Sequence, residues 1–163
     1  MEHEFTVKKI KDWQKVIDWI IELPPHKKCF FLYGDMGVGK TTFVKIFCKF
    51  LKINAATSSP TFSIVNVYSD SMLQTSGVEN LNHSVPEIRN LKSEVKVYHL
   101  DLYRLKNLEE ALDIGIEDYL YPDEGIYTFI EWPQIIENLA APNTVRIKIS
   151  LLPDSIRKIV ILH

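Results

Sequence analysis

The chain has 163 residues, 46% of them hydrophobic and 25% charged, which bounds it to one compact domain with enough apolar material for a substantial core. A formal net charge of −2 and a pI near 6.2 give no general electrostatic drive toward nucleic acid or membrane. No DNA or membrane partner is therefore expected, and any RNA contact has to come from a local patch or from another protein.

The opening MEHEFTVKKIKDW has no apolar core behind a basic stretch, and no run of about eighteen apolar residues occurs anywhere, so the protein is expected in the cytoplasm. Ile10, Trp13, Val16, Ile17, Ile20 and Ile21 recur at helical spacing, and Pro24-Pro25 stops that helix. A strand follows from Lys28 to Tyr33. It turns directly into Gly34-Asp35-Met36-Gly37-Val38-Gly39-Lys40-Thr41-Thr42, and the next helix buries Phe43, Val44, Phe47, Phe50 and Leu51 on one face. Lys45, Lys49 and Lys52 occupy the other face, a solvated stripe in the simplest reading and an RNA contact in the alternative.

Strand, glycine turn and helix are the context that a phosphate-binding loop requires. At average residue usage the GxxxxGK[ST] string arises by chance in roughly one chain in two hundred of this length, and the flanking elements lower that figure further. Gly37 and Gly39 permit backbone conformations closed to other residues, so that successive N–H groups converge on phosphates at the positive end of the new helix. In such loops the lysine, here Lys40, meets the β- and γ-phosphates and the following hydroxyl, here Thr41, meets magnesium.

Thr57-Ser58-Ser59-Pro60-Thr61 reads as a polar turn, and Phe62 to Tyr68 as a strand pairing antiparallel with a second one from Val95 to Leu102. Between them Ser69 to Ser93 is rich in Ser, Asn and Glu without a sustained period, and is expected to be a mobile insertion. Asn107 to Leu120 has broken helical spacing around Gly115, which predicts two short helices. Ile126 to Ile130 reads as a strand buried on both faces and closed by Glu131, and the alternation from Val145 to Leu151 with the apolar run Ile159 to Leu162 reads as a terminal hairpin.

A phosphate loop needs an acid to hold magnesium and another group to orient the attacking water. Glu131 suits the first role, because the carboxyl ends of strands in an open α/β sheet face the ligand crevice. Asp101, in His99-Leu100-Asp101-Leu102-Tyr103-Arg104, is the second candidate, with solvent exposure as the bland alternative. Thr61 could reach over the γ-phosphate or simply start a strand, Trp132 could pack on the nucleotide or belong to the core, and Arg104 could neutralise phosphate or form a surface ion pair. Cys29 and Cys48 lack a CxxC pattern and read as small core residues; the five histidines, at positions 3, 26, 83, 99 and 163, show no metal-ligand spacing, and there is no GxSxG.

Taken in order, GDMGVGKTT, SSPTF, YHLDLYRL, LDIGIEDYL and FIEWP resemble the bacterial TsaE family, also called YjeE, from about Phe31 to Pro133. The resemblance implies an α/β, three-layer P-loop NTPase fold with a mixed central sheet flanked by helices, here one domain over residues 1–163 with the insertion at 69–93. It also implies a Mg²⁺-dependent ATPase, slow when alone, that works with TsaB and TsaD in making threonylcarbamoyladenosine beside the anticodon of transfer RNA. Transfer RNA would be met indirectly, through that complex. By the same resemblance Asp35, Met36, Gly37, Val38, Gly39, Lys40, Thr41 and Thr42 hold nucleotide, Thr41 and Glu131 hold magnesium, Lys40, Asp101 and Glu131 serve hydrolysis, and Thr61 and Trp132 fall on motif positions. The family has a short hairpin turn where this chain has its insertion. The competing readings are a regulatory GTPase, which lacks its NKxD and DxxG strings here, a small-molecule kinase, which would gather more arginines, and a nucleotide-sensing subunit that scarcely turns ATP over.

Overall fold

A computed structural model describes residues 1–53, 64–69 and 95–163. Among them seven strands form one mixed sheet: β1 (Glu2–Val7), β2 (Cys29–Tyr33), β3 (Val65–Ser69), β4 (Lys96–Asp101), β5 (Ile126–Glu131), β6 (Val145–Leu151) and β7 (Arg157–Leu162). Their spatial order is β1-β7-β6-β2-β5-β4-β3. The inner strands β6, β2, β5 and β4 run parallel, whereas β3 pairs antiparallel with β4, β7 with β6, and β1 with β7.

Helices α1 (Trp13–Ile21) and α2 (Lys40–Phe50) cover one face, and α3 (Leu108–Asp113), α4 (Glu117–Leu120) and a 3-10 stretch at Pro133–Leu139 cover the other. The layers follow from the period-two alternation of β2. Phe30 and Leu32 pack with Val16, Ile20, Phe43 and Phe47, while Cys29 and Phe31 pack with Ala111, Ile116, Leu120 and Ile136. Burial on both faces is why this strand reads as an unbroken apolar run. The three-layer α/β architecture expected from the sequence is thus the observed one. None of the helices among the described residues is long and apolar enough to cross a membrane.

Several local expectations hold. Gly115 takes φ +72°, a left-handed conformation, at the joint between α3 and α4, and the Asn107 side chain caps α3 by accepting the Glu110 N–H at 2.9 Å. The hairpin of β3 with β4 and the terminal hairpin of β6 with β7 are both formed. Cys29 and Cys48 are buried in the core.

Others are corrected. Ile10 is 74% exposed on a 3-10 turn, because the Asp12 carboxylate accepts the Lys8 and Lys9 N–H groups and the α-helix starts only at Trp13. Phe50 is 39% exposed, being the last residue of α2, where the apolar stripe has already turned off the sheet. Ser69 closes β3 opposite Lys96, so it belongs to the strand. The rest of the expected insertion, the Thr57–Thr61 turn with its Thr61, and Phe62 and Ser63 lie outside the described residues. The edge strand β1 was not anticipated, since its alternating EHEFTV pattern is half polar and weak as a strand signal.

Candidate functional site

The loop from Gly34 to Gly39 links β2 to α2 at the carboxyl edge of the parallel strands. Gly34 has φ +143°, and a Cβ there would lie 2.4 Å from the Ile149 carbonyl oxygen on β6, so only glycine lets the loop leave the sheet at this point. Gly39 caps α2 with φ +112° and no side-chain cap bond, which leaves the first N–H groups of the helix facing the loop. Val38 inserts its side chain into the core and anchors the loop, while Asp35, Met36 and Gly37 are exposed at its tip and Thr42 is exposed on the first turn of α2.

Lys40, the first residue of α2, points back over the loop. Its Nζ donates to the Gly34 carbonyl at 2.7 Å and to the Asp35 carbonyl at 3.0 Å, and lies 4.1 Å from the centre of the Trp132 ring. Burial lowers its pKa from the ordinary lysine value, and the carboxylates of Glu131, Asp101 and Asp35 oppose that shift. The two carbonyls and the indole hold the ammonium over the loop.

Glu131 ends β5 and Asp101 ends the neighbouring β4, and the two are direct partners in the parallel register. By strand alternation both point to the α2 face, on the same side as Phe129, Val97 and His99. Glu131 is only 3% exposed; its Oε1 accepts the Thr41 hydroxyl at 2.7 Å and meets His99 Nε2 at 2.8 Å. Asp101 is half-buried, and its Oδ1 accepts the Tyr103 N–H at 3.1 Å. The two acids and the helix-starting residues, which lie far apart in sequence, therefore form one cluster under the loop.

Trp132 adopts φ +56° and ψ +52°, a left-handed conformation that is unusual for a bulky residue and costs on the order of 1–3 kcal/mol. The following Pro133 starts the 3-10 stretch, and the indole lies between the Tyr103 ring, 5.1 Å away, and Lys40. Trp132 is half-buried, so its ring is both core packing and one wall of the site. Arg104 is exposed on the turn after β4.

Two neighbours escaped the sequence reading. His99 had a signal, since it precedes Asp101 by two positions on one strand and so shares its face. Arg157 had none: it comes from the start of β7, and its Nε donates to the Val38 carbonyl at 2.8 Å.

Among the described residues no group of three or more His, Cys, Asp and Glu side chains could hold a metal by itself. Adjacent hydroxyl and carboxylate oxygens of Thr41 and Glu131 do fit magnesium, which characteristically takes few protein ligands and completes its shell with phosphate and water oxygens.

The family described as Threonylcarbamoyl adenosine biosynthesis protein TsaE matches residues 7–159. The tRNA threonylcarbamoyladenosine biosynthesis protein TsaE of Rickettsia bellii is 33% identical over 127 residues, which span 77% of this chain and 71% of that protein. The protein of the same name from Borreliella burgdorferi is 40% identical over 111 residues, spanning 68% and 64%. The crystal structure of Bacillus subtilis YdiB superposes with a TM-score of 0.61 at 21% identity, covering 99% of this chain and 84% of that one, and shares its α/β fold. With nearly its whole length matched, the chain belongs to the TsaE family of threonylcarbamoyladenosine biosynthesis proteins.

Proposed function

We propose that the protein binds Mg-ATP and hydrolyses it slowly, and that this ATPase serves transfer-RNA threonylcarbamoyladenosine formation together with TsaB and TsaD. The observation that carries the reading is the contact of Thr41 with Glu131 beneath a glycine loop whose helix N–H groups have no side-chain cap. The loop amides and Lys40 bind the phosphates, and Thr41 and Glu131 supply oxygen ligands for magnesium. When bound, the metal neutralises charge on the reacting phosphates. Asp101, next to Glu131 and half-buried, orients the water that attacks the γ-phosphoryl group. Trp132 restrains the Lys40 ammonium and excludes water from one side of it.

The test is ATP hydrolysis by the purified protein, alone and with TsaB and TsaD from the same source, with and without transfer RNA. Stimulation by the pair is expected. Tight Mg-ATP binding without stimulation would favour the nucleotide-sensing reading over the ATPase one. Lys40→Ala is expected to abolish nucleotide binding or turnover, and full activity in that variant would overturn the assigned site. Asp101→Ala is expected to keep the fold while turnover falls about a hundredfold or more, the scale seen when a charge-stabilising group is lost.

A further inference from the structure

We propose that Arg157 is a positioning residue for the phosphate cradle, acting from the far end of the chain on the peptide between Val38 and Gly39. The inference rests on the nucleotide reading above and adds to it a residue that no loop motif contains.

Arg157 opens β7, where it pairs with Val7 of β1 on one side and Leu151 of β6 on the other. The turn before it is tightly formed: Asp154 and Ser155 have φ of +60° and +58°, and the Leu152 N–H donates to the Ile156 carbonyl at 2.7 Å. From that turn the Ser155 carbonyl accepts from Arg157 Nη1 at 3.2 Å, which fixes the guanidinium plane. Nε then donates to the Val38 carbonyl at 2.8 Å.

The consequence is geometric. No peptide bond among the described residues is cis, so the C=O of Val38 and the N–H of Gly39 point in opposite directions across one rigid plane. Holding the carbonyl outward against Arg157 turns the Gly39 N–H inward, toward the concave side of the loop. Gly39 has φ +112° and no side chain to resist rotation, so the orientation of this peptide depends on an outside contact. Its lack of a Cβ also admits the arginine, whose Nε would stand 3.1 Å from such an atom. A single guanidinium therefore aligns one phosphate-binding amide in advance and removes an ordering cost from ligand binding.

Two substitutions separate this role from a direct charge on phosphate. Glutamine carries its amide nitrogen at the same number of bonds from Cα as the arginine Nε, so Arg157→Gln keeps a donor and loses the charge. Arg157→Met keeps the length and loses both. Binding of ATP and of pyrophosphate to the full chain, measured by titration calorimetry with magnesium present, should weaken about tenfold or more in Arg157→Met, the scale of one charge-assisted hydrogen bond. In Arg157→Gln both should stay within about threefold of the wild type. In the nucleotide-free protein, the NMR order parameter of the Gly39 amide should fall from about 0.85 toward 0.6 in Arg157→Met alone, a change that general destabilisation would not confine to one residue. Equal weakening in both variants would mean that the charge acts directly and would overturn the proposal, as would an Arg157→Met protein with unchanged affinity and an unchanged Gly39 order parameter. If the wild type binds neither probe, the nucleotide reading fails, and the Gly39 measurement still decides the clamp.

Discussion

The carboxylate of Glu131 does two jobs that substitution can separate. As an oxygen acceptor it pairs with Nε2 of the buried His99, 3% exposed, and with the Thr41 hydroxyl; as a charge it is the proposed magnesium ligand. Glu131→Gln leaves an amide oxygen for both donors, so unfolding in urea should shift by less than about 1 kcal/mol, while ATP turnover should fall about a hundredfold or more. Glu131→Ala should lose the same turnover and, in addition, about 1–3 kcal/mol of stability, because Nε2 of His99 then joins its Nδ1 without a partner in the interior. Full turnover in the Gln variant would make this acid structural only. Lys40, Thr41, Asp101 and Glu131 were legible in the sequence because each occupies a position, a helix start or a parallel strand end, whose direction the local pattern dictates. Arg157 was not, since its contact with Val38 depends on the sheet order that sets the terminal hairpin beside β2 and its loop, which no short-range signal specifies.

Between elements, the distance from the loop to the acids is maintained by aromatic packing of β5 against α2. The Phe129 ring stacks on Phe30 at 4.8 Å and meets Phe47 edge-on at 4.9 Å and Phe43 edge-on at 5.7 Å. Glu131 lies two residues further along the same strand face, and Thr41 lies two residues before Phe43 on the same helix. Phe129→Ala should cost about 3–5 kcal/mol in urea unfolding, a large share of the total stability of a domain this size. A loss below 1 kcal/mol would show that the cluster repacks and does not set the spacing. The central strands could be read from sequence because burial on two faces gives them apolar runs, whereas β1 could not, as an edge strand buried on one side carries only a weak alternation. The 3-10 stretch after Trp132 was missed for a related reason: its start depends on the left-handed conformation of a tryptophan, which local propensity disfavours.

At the scale of the molecule, the sheet separates two apolar cores, and the cysteines happen to report on one each. Cys48 lies in the core under α1 and α2, and Cys29 in the core under α3 and α4. Burial pushes both thiols up to about 12 from an ordinary value of 9.0. An unfolded chain would ionise them near 9, so their contribution to folding is complete below that pH and is lost as pH rises toward 12. At pH 8 neither thiol should react with iodoacetamide in the native protein, because the thiolate is the nucleophile and both sulfurs are covered. β2 supplies alternate side chains to both cores, and so does β5, so neither face can open without removing packing from the other. Pulsed alkylation along a urea series, read peptide by peptide in a mass spectrometer, should therefore give Cys29 and Cys48 one common midpoint. Labelling of Cys29 at lower urea than Cys48 would show that the α3 and α4 layer opens as a separate unit, and the shared strands would then not couple the two faces.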